Sequence, residues 1–177
     1  MEEKMVFAGF GGQGVLFMGK LLAHAGMLAG KNVTWIPSYG PEMRGGTANC
    51  SVIISDNRIG SPTVDEPTIA VVMNGASFDK FVDKVKPDGD LFVNSSIVDR
   101  TTDRNDINII KINANDLAYD NFQTSKLANV IVLGHLLAKK NILNKEIIFK
   151  AIDEMVGEKR PEMVEINKRA IELGMSV

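Results

Sequence analysis

A glycine-rich loop between an apolar run and a helical pattern is the feature that most constrains this fold. Residues 4–8 (KMVFA) predict a short β-strand, and residues 9–14 (GFGGQG) follow it directly. Apolar side chains then recur at three- and four-residue steps over residues 14–29, which predicts a helix with one face on a sheet. Residues 32–36 (NVTWI) predict the next strand. The order strand, tight turn, helix, strand indicates a Rossmann-like βαβ unit whose two strands pair in parallel.

The remaining pattern extends this unit into one α/β domain. Residues 37–46 (PSYGPEMRGG) predict a long structured loop, and residues 47–55 predict a strand that residues 56–61 continue as a β-hairpin with a short return. Further strands are predicted over residues 68–73, 90–94 and 108–112, and helices over residues 77–85, 126–140, 145–155 and 161–173. No repeat or long linker interrupts the pattern. We therefore expect a single domain over residues 1–177, with a mostly parallel sheet flanked by helices and a helix-rich C-terminal part.

Composition and charge narrow the classes of function. The chain has 20 basic and 22 acidic residues, so we expect neither nucleic acid nor a membrane surface as a partner. Its single cysteine cannot form an internal disulfide or hold an iron–sulfur cluster or a thiolate zinc site, so we expect no metal in this chain. The apolar run before the glycines is too short for a signal peptide or a membrane span, and we expect a cytoplasmic protein.

The glycine loop predicts contact with a phosphate. Glycines let the backbone turn tightly and let a ligand approach the amides, and the N-terminus of the following helix attracts negative charge. The alternative is that the glycines only permit close packing of strand on helix. A nicotinamide dinucleotide site also needs a carboxylate near the end of the second strand, but the first acid there is Glu42, beyond Pro37. A stand-alone NAD(P)-dependent enzyme is therefore disfavoured.

Three segments together resemble the gamma subunit of 2-oxoacid:ferredoxin oxidoreductases. They are the glycine loop, PSYGPEMRGG at residues 37–46, and Ser61-Pro62. The resemblance extends to Asn129 and Gly134 in ANVIVLGHLL, and to Asn167 and Ala170 in the last predicted helix, so it covers nearly the whole chain. The family includes enzymes for pyruvate, 2-oxoglutarate, branched-chain 2-oxoacids and indolepyruvate.

The resemblance implies a division of work among subunits. The complex would oxidatively decarboxylate a 2-oxoacid on thiamine diphosphate, transfer the acyl group to coenzyme A and pass electrons to ferredoxin. Thiamine diphosphate, magnesium and the iron–sulfur clusters would belong to alpha and beta partner subunits, with a delta subunit as a further candidate. This chain would be an accessory, non-catalytic component, inactive alone, that helps bind coenzyme A and assemble the complex. The alternative is a purely structural subunit.

Eight residues are the candidate contacts to coenzyme A. They are Gly9, Gly11, Gly12, Gln13, Gly14, Ser38, Tyr39 and Arg44. The Gln13 amide can donate or accept at the mouth of the loop. The Arg44 guanidinium can clamp a phosphate, or it can pair with Glu42 or with a partner subunit, and an interface role is slightly favoured. Ser38 and Tyr39 can contact a ligand or simply hold a turn.

Other reactive residues predict structural roles. His24 and His135 lie in predicted helices without a second ligand at metal-binding spacing, so we expect hydrogen-bonded helix histidines. Cys50 lies in a predicted strand and is expected in the core. No nucleophile motif or Walker lysine is present, which leaves hydrolase and kinase chemistry without support and the list of catalytic residues empty.

Overall fold

A six-stranded sheet forms the centre of the molecule, in a computed structural model that describes residues 1–38, 47–157 and 160–177. The strands lie in the order β2-β3-β1-β4-β5-β6. Their bounds are β1 Glu2–Gly9, β2 Asn32–Ser38, β3 Ala48–Ser55, β4 Ile69–Val72, β5 Asp90–Asn94 and β6 Asn108–Ile112. Strands β1, β4, β5 and β6 pair in parallel, while β3 runs antiparallel to both of its neighbours. The predicted mostly parallel α/β domain is confirmed.

Two expectations about strand pairing are wrong, and β3 is the reason for both. Strands β1 and β2 point the same way but do not pair, because β3 lies between them in the registers Phe7↔Cys50 and Trp35↔Val52. β3 is buried along most of its length and hydrogen-bonds to a strand on each side. No edge of β3 is therefore left for a hairpin partner, and residues 56–61 form bends instead of a return strand.

Helices cover the two faces of the sheet unequally. Their bounds are α1 Val15–Leu28, α2 Gly75–Phe81, α3 Ala114–Phe122, α4 Ala128–Lys140, α5 Lys145–Gly157 and α6 Val164–Met175. Short 3-10 turns extend α2 and precede α4 and α6. Helices α1, α4, α5 and α6 share one apolar core with the sheet, while α2 packs on the opposite face.

Helix α3 was not predicted from the sequence. It is short and of low overall hydrophobicity, and only Ala114 and Ala118 are buried in it. Its position follows from β6, because Asn94 at the end of the neighbouring β5 accepts a hydrogen bond from the Ala114 amide (3.2 Å). A short, mostly polar helix of this kind depends on tertiary contacts more than on hydrophobic periodicity.

Helices α4 and α6 cross at two glycines. A Cβ on Gly134 would lie 2.2 Å from the Ile171 carbonyl oxygen, and one on Gly174 would lie 1.9 Å from the Ile131 carbonyl oxygen. Only glycine permits backbones to approach so closely, so this crossing sets the position of α4. Within the described ranges, no helix has the length and apolar character needed to cross a membrane.

Candidate functional site

The glycine loop lies where the chain order of the sheet reverses. From β1 the chain first fills positions β2 and β3 on one side, and it then continues through β4, β5 and β6 on the other. Helix α1 after β1 and helix α2 after β4 therefore leave the sheet on opposite faces. In open α/β sheets the crevice at such a switch point, outside the carboxyl ends of the strands, is the usual place for a ligand.

The backbone of the loop contains one tight turn and two glycines with positive φ. The Gln13 amide donates to the Phe10 carbonyl (3.2 Å), and Gly12 has φ of 91°, which only glycine adopts without strain. Gly14, the residue that caps the start of α1, has φ of 71°. The chain thus leaves β1, turns sharply and enters α1 with the first helical amides directed out of the carboxyl edge of the sheet.

The Gln13 side chain ties the loop to the neighbouring strand. Its Oε1 accepts hydrogen bonds from the Phe10 amide (2.7 Å) and from Asn74 Nδ2 (3.1 Å). Its Nε2 donates to the Met73 carbonyl (3.1 Å). Asn74 in turn caps α2 by accepting from the Ser77 amide (2.8 Å). Gln13 and Asn74 therefore bridge the switch point between β1 and β4 and fix the shape of the loop.

Asn129 holds the loop from the other side. Its Nδ2 donates to the Gly14 carbonyl (3.1 Å), across 115 positions of sequence. A Cβ on Gly14 would lie 2.4 Å from the same nitrogen, so glycine is required for this contact. Asn74 and Asn129 were both missed as site residues. A signal existed for each, since Asn74 stands at a helix start and Asn129 interrupts an apolar helix.

The glycines of the loop divide into two groups. Gly9 and Gly14 are needed for packing, because a Cβ on Gly9 would lie 2.9 Å from Val15 Cγ1 and 3.0 Å from Met73 Cβ. Around Gly11 and Gly12, by contrast, no atom of the described residues lies within 4 Å of an added Cβ. At Gly12 the positive φ requires glycine. At Gly11 neither φ nor packing against the described residues requires it. Open space around Gly11 is what a ligand approaching the backbone would need.

The open side of the loop can hold an anion. Within the part of the chain that the structure describes, the amides of Gly11, Gly12 and Gly14 donate no hydrogen bond. They stand at the N-terminus of α1, a helix of 14 residues, where the helix dipole adds partial positive charge. Lys80 of α2 lies at the same edge of the sheet and donates to Thr47 Oγ1 (3.4 Å). Unpaired amides, a helix N-terminus and a nearby ammonium group suit a phosphate.

The remaining candidate contacts lie away from this loop or outside the described residues. Ser38 ends β2 at the same carboxyl edge, but β3 separates it from β1, which places it about 10 Å away at the spacing of two strands. Tyr39 and Arg44, with Glu42, lie outside the described residues.

The two histidines have different environments. His24 Nε2 contacts Glu154 Oε2 (2.7 Å), so its expected hydrogen bond is confirmed. His135 is buried in α4 beside the edge of the Phe92 ring, and its Nδ1 has no hydrogen-bond partner among the described residues. Burial, with a smaller contribution from Lys139, lowers the pKa of His135.

Cys50 is fully buried in β3, as expected from the sequence. Its Sγ lies 3.5 Å from the Val15 carbonyl oxygen, and burial raises the thiol pKa to about 12. Within the described ranges, no three His, Cys, Asp or Glu side chains are grouped so that they could hold a metal ion.

Residues 4–177 match a protein-family model described as pyruvate ferredoxin/flavodoxin oxidoreductase. The chain belongs to this family. It is 35% identical over 173 residues to the ketoisovalerate oxidoreductase subunit VorA of Methanothermobacter marburgensis, in an alignment that covers 98% of this chain and 36% of VorA. The chain thus spans about a third of the length of that relative. It is also 35% identical over 160 residues to the 2-oxoglutarate synthase subunit KorC of Methanocaldococcus jannaschii, covering 88% of this chain and 84% of KorC.

Solved structures of the family share the fold. The gamma subunit of keto/oxoacid ferredoxin oxidoreductase from Geobacter sulfurreducens matches with a TM-score of 0.85 and 28% identity, over 98% of this chain and 96% of that one. The 2-oxoglutarate:ferredoxin oxidoreductase of Magnetococcus marinus has the same fold, with a TM-score of 0.87 at 22% identity, over 99% of this chain and 30% of that one. The resemblance of this chain to the gamma subunits of the family is therefore confirmed.

Proposed function

We propose that this chain is the non-catalytic gamma component of a thiamine-diphosphate-dependent 2-oxoacid:ferredoxin oxidoreductase, and that its glycine loop binds a phosphate of coenzyme A. The observation that carries the proposal is the backbone at Gly11 and Gly12, which lies at the switch point of the sheet and, among the described residues, is open and has unpaired amides. A protein of the same fold, the Magnetococcus marinus enzyme, has a solved structure with 2-oxoglutarate, coenzyme A and succinyl-CoA bound. Coenzyme A brings the phosphates that such a loop suits.

The chain's own residues would bind and orient the coenzyme. Amides of Gly11, Gly12 and Gly14 would donate to phosphate oxygens, and the dipole of α1 would stabilise their charge. Gln13, Asn74 and Asn129 would keep the loop in its binding shape through the hydrogen bonds described above. The coenzyme accepts the acyl group when bound. Thiamine diphosphate, magnesium, the iron–sulfur clusters and the contact with ferredoxin would be supplied by alpha, beta and delta subunits.

Two alternatives are less well supported. A purely structural subunit explains Gly9 and Gly14, whose missing side chains allow packing, but it gives no reason for Gly11. A stand-alone NAD(P)-dependent enzyme needs a carboxylate at the end of a second strand beside β1. Here that neighbouring position is taken by β3, which begins rather than ends at this edge. The coenzyme A site therefore accounts for more of the loop than either alternative.

The test is a Gly11→Val variant in the complex reconstituted with its partner subunits. We expect the Michaelis constant for coenzyme A to rise roughly tenfold, the equivalent of one or two lost phosphate contacts, with kcat and assembly unchanged. Gly60→Val is the matched control, because an added Cβ at Gly60 likewise meets no described atom within 4 Å. An unchanged Michaelis constant in Gly11→Val would refute the coenzyme A role and favour the structural subunit.

A second experiment addresses the residues outside the described ranges. We propose that Arg44 contacts either coenzyme A or a partner subunit, and that Tyr39 and Ser38 contribute to the same contact. Arg44→Glu should then weaken assembly, measured by size-exclusion chromatography, or raise the Michaelis constant for coenzyme A. If neither changes, this segment has no part in the site, whatever the result for Gly11→Val.

A further inference from the structure

A cleft beside the glycine loop opens among helices α1, α4 and α5 and the start of α6, and it shares Asn129 with that loop. Its volume is about 420 Å³, within the range of small-molecule sites. Phe17, Met155 and Met163 form apolar walls, and Lys126 and Arg160 stand at its exposed rim. The cleft therefore combines an apolar interior with positive charge at the mouth.

Two buried amides line the cleft with their acceptor ends unused. Asn129 and Asn167 are each only 5% exposed. Asn129 Nδ2 donates to the Gly14 carbonyl (3.1 Å), and Asn167 Nδ2 donates to the Met163 carbonyl (2.7 Å). Because a carbonyl can only accept, these contacts identify the nitrogen ends and leave both Oδ1 atoms as acceptors. Within the described part of the chain neither oxygen accepts a hydrogen bond, and neither is sealed from solvent.

The backbone around the rim is well held. The Arg160 amide donates to the Val156 carbonyl (2.8 Å), and the Arg160 carbonyl accepts from the Met163 amide (2.9 Å). The same turn therefore positions Arg160 at the mouth and Met163, with Asn167 bonded to it, farther inside. Lys126 lies in the 3-10 turn Ser125–Leu127 that leads into α4, three residues before Asn129. Each wall of the cleft thus pairs a rim cation with an inner amide.

This arrangement selects a ligand by three properties. Its inner end must donate N–H groups to the two amide oxygens, its body must be flat and apolar enough to pack on methionine and phenylalanine, and its outer end must be anionic. An adenine ring has an exocyclic amine that donates, and a ribose phosphate places negative charge on the far side. A carboxylate or a bare phosphate would leave the inner acceptors without donors, at a cost.

We propose that this cleft binds a phosphorylated adenosine, with the adenine amine toward Asn129 and Asn167 and the phosphates toward Lys126 and Arg160. The ligand has two possible sources that share this chemistry, a free adenine nucleotide and the adenosine end of coenzyme A. In the second case the cleft extends the proposed function, since Asn129 connects it to the glycine loop. In the first case it is a separate nucleotide site.

The test is isothermal titration calorimetry of the 177-residue chain with AMP, IMP, ADP, pyrophosphate, adenosine 3′,5′-bisphosphate and coenzyme A. IMP carries an acceptor where AMP carries the amine, so AMP should bind roughly tenfold more tightly. Asn167→Leu should abolish that preference. Lys126→Gln and Arg160→Gln should each weaken ADP binding up to about fivefold, the range of exposed ion pairs. Lys139→Gln, an exposed lysine of α4 outside the cleft, is the matched control and should bind like the unchanged chain.

The outcomes separate the two sources and the two proposals. Tighter binding of the bisphosphate and coenzyme A than of ADP, lost in Arg160→Gln, identifies the coenzyme. Binding of AMP and ADP without competition from coenzyme A identifies a free nucleotide. Absence of nucleotide binding at millimolar concentration, equal affinities for AMP and IMP, or pyrophosphate binding as tightly as ADP would overturn the inference. AMP binding should persist in Gly11→Val, so failure of this site is distinguishable from failure of the glycine loop.

Discussion

Replacing Gly174 with alanine should destabilise the protein by about 2–3 kcal/mol. The new Cβ would lie 1.9 Å from the Ile131 carbonyl oxygen and 2.9 Å from the His135 amide nitrogen, both of them backbone atoms that no rotamer change can move. Helices α4 and α6 would have to separate by more than about 1 Å, enough to forfeit a large share of the dispersion contacts across the crossing. Overpacking of this kind typically costs about 1–3 kcal/mol, and we place this backbone clash at the upper end or beyond. The higher helix propensity of alanine offsets up to about 1 kcal/mol of this destabilisation.

Urea unfolding followed by circular dichroism measures this change directly. In a domain of this size the loss corresponds to a fall of roughly 5–10 °C in melting temperature. Gly157→Ala is the matched control, because among the described residues its Cβ would meet only Val164 Cγ2, at an ordinary 3.5 Å, and its stability should be unchanged or slightly higher. If Gly174→Ala unfolded within about 0.5 kcal/mol of the unchanged chain, the close helix crossing would be wrong.

Three further predictions concern the loop, a histidine and the cysteine. Gly9→Ala should destabilise the fold by about 1–3 kcal/mol, because the new Cβ would press on Val15 and Met73. Gly11→Ala should change the free energy of unfolding by less than about 0.5 kcal/mol. Equal melting temperatures for the two variants would contradict the division of the glycines into two groups. Because burial lowers the pKa of His135, the unfolded chain binds this proton more readily. The free energy of unfolding should therefore fall as pH drops below 6.5, and this contribution should be absent in His135→Leu; a variant with the full decline would rule out His135 as its source. The Cys50 thiol, with a pKa of about 12, should resist a thiol reagent at pH 8 in the folded chain and react in urea, and rapid labelling of the native protein would show that β3 is not buried as described.

Local signals predicted most of the elements well. Strands β5 and β6 match their predicted bounds, residues 90–94 and 108–112, because each is a short apolar run between turn-forming residues. The predicted helix over residues 14–29 is observed as α1, Val15–Leu28, ended by Gly30 with φ of 73°. Helix α3 was missed because it is short and of low overall hydrophobicity.

The glycine loop shows both what sequence spacing can predict and where it stops. Its position after a strand and before a helix was readable from residues 4–29 alone. The spacing did not distinguish Gly9 and Gly14, which packing requires, from Gly11, which packing leaves unexplained. Nor did it identify Asn74 and Asn129, since their contacts with Gln13 and Gly14 span 61 and 115 positions.

By itself the sequence determined the α/β class, the strand–loop–helix opening, the exclusion of an internal disulfide and the resemblance to the gamma subunits. These follow from local periodicity, turn chemistry and motif spacing, which each act over a few residues. Only the tertiary structure decided that β3 would pair between β1 and β2, that α4 and α6 would cross on Gly134 and Gly174, and that two asparagines would line one cleft. Such arrangements depend on which strand edges and helix faces remain available once the whole chain has packed, and no local pattern encodes that competition.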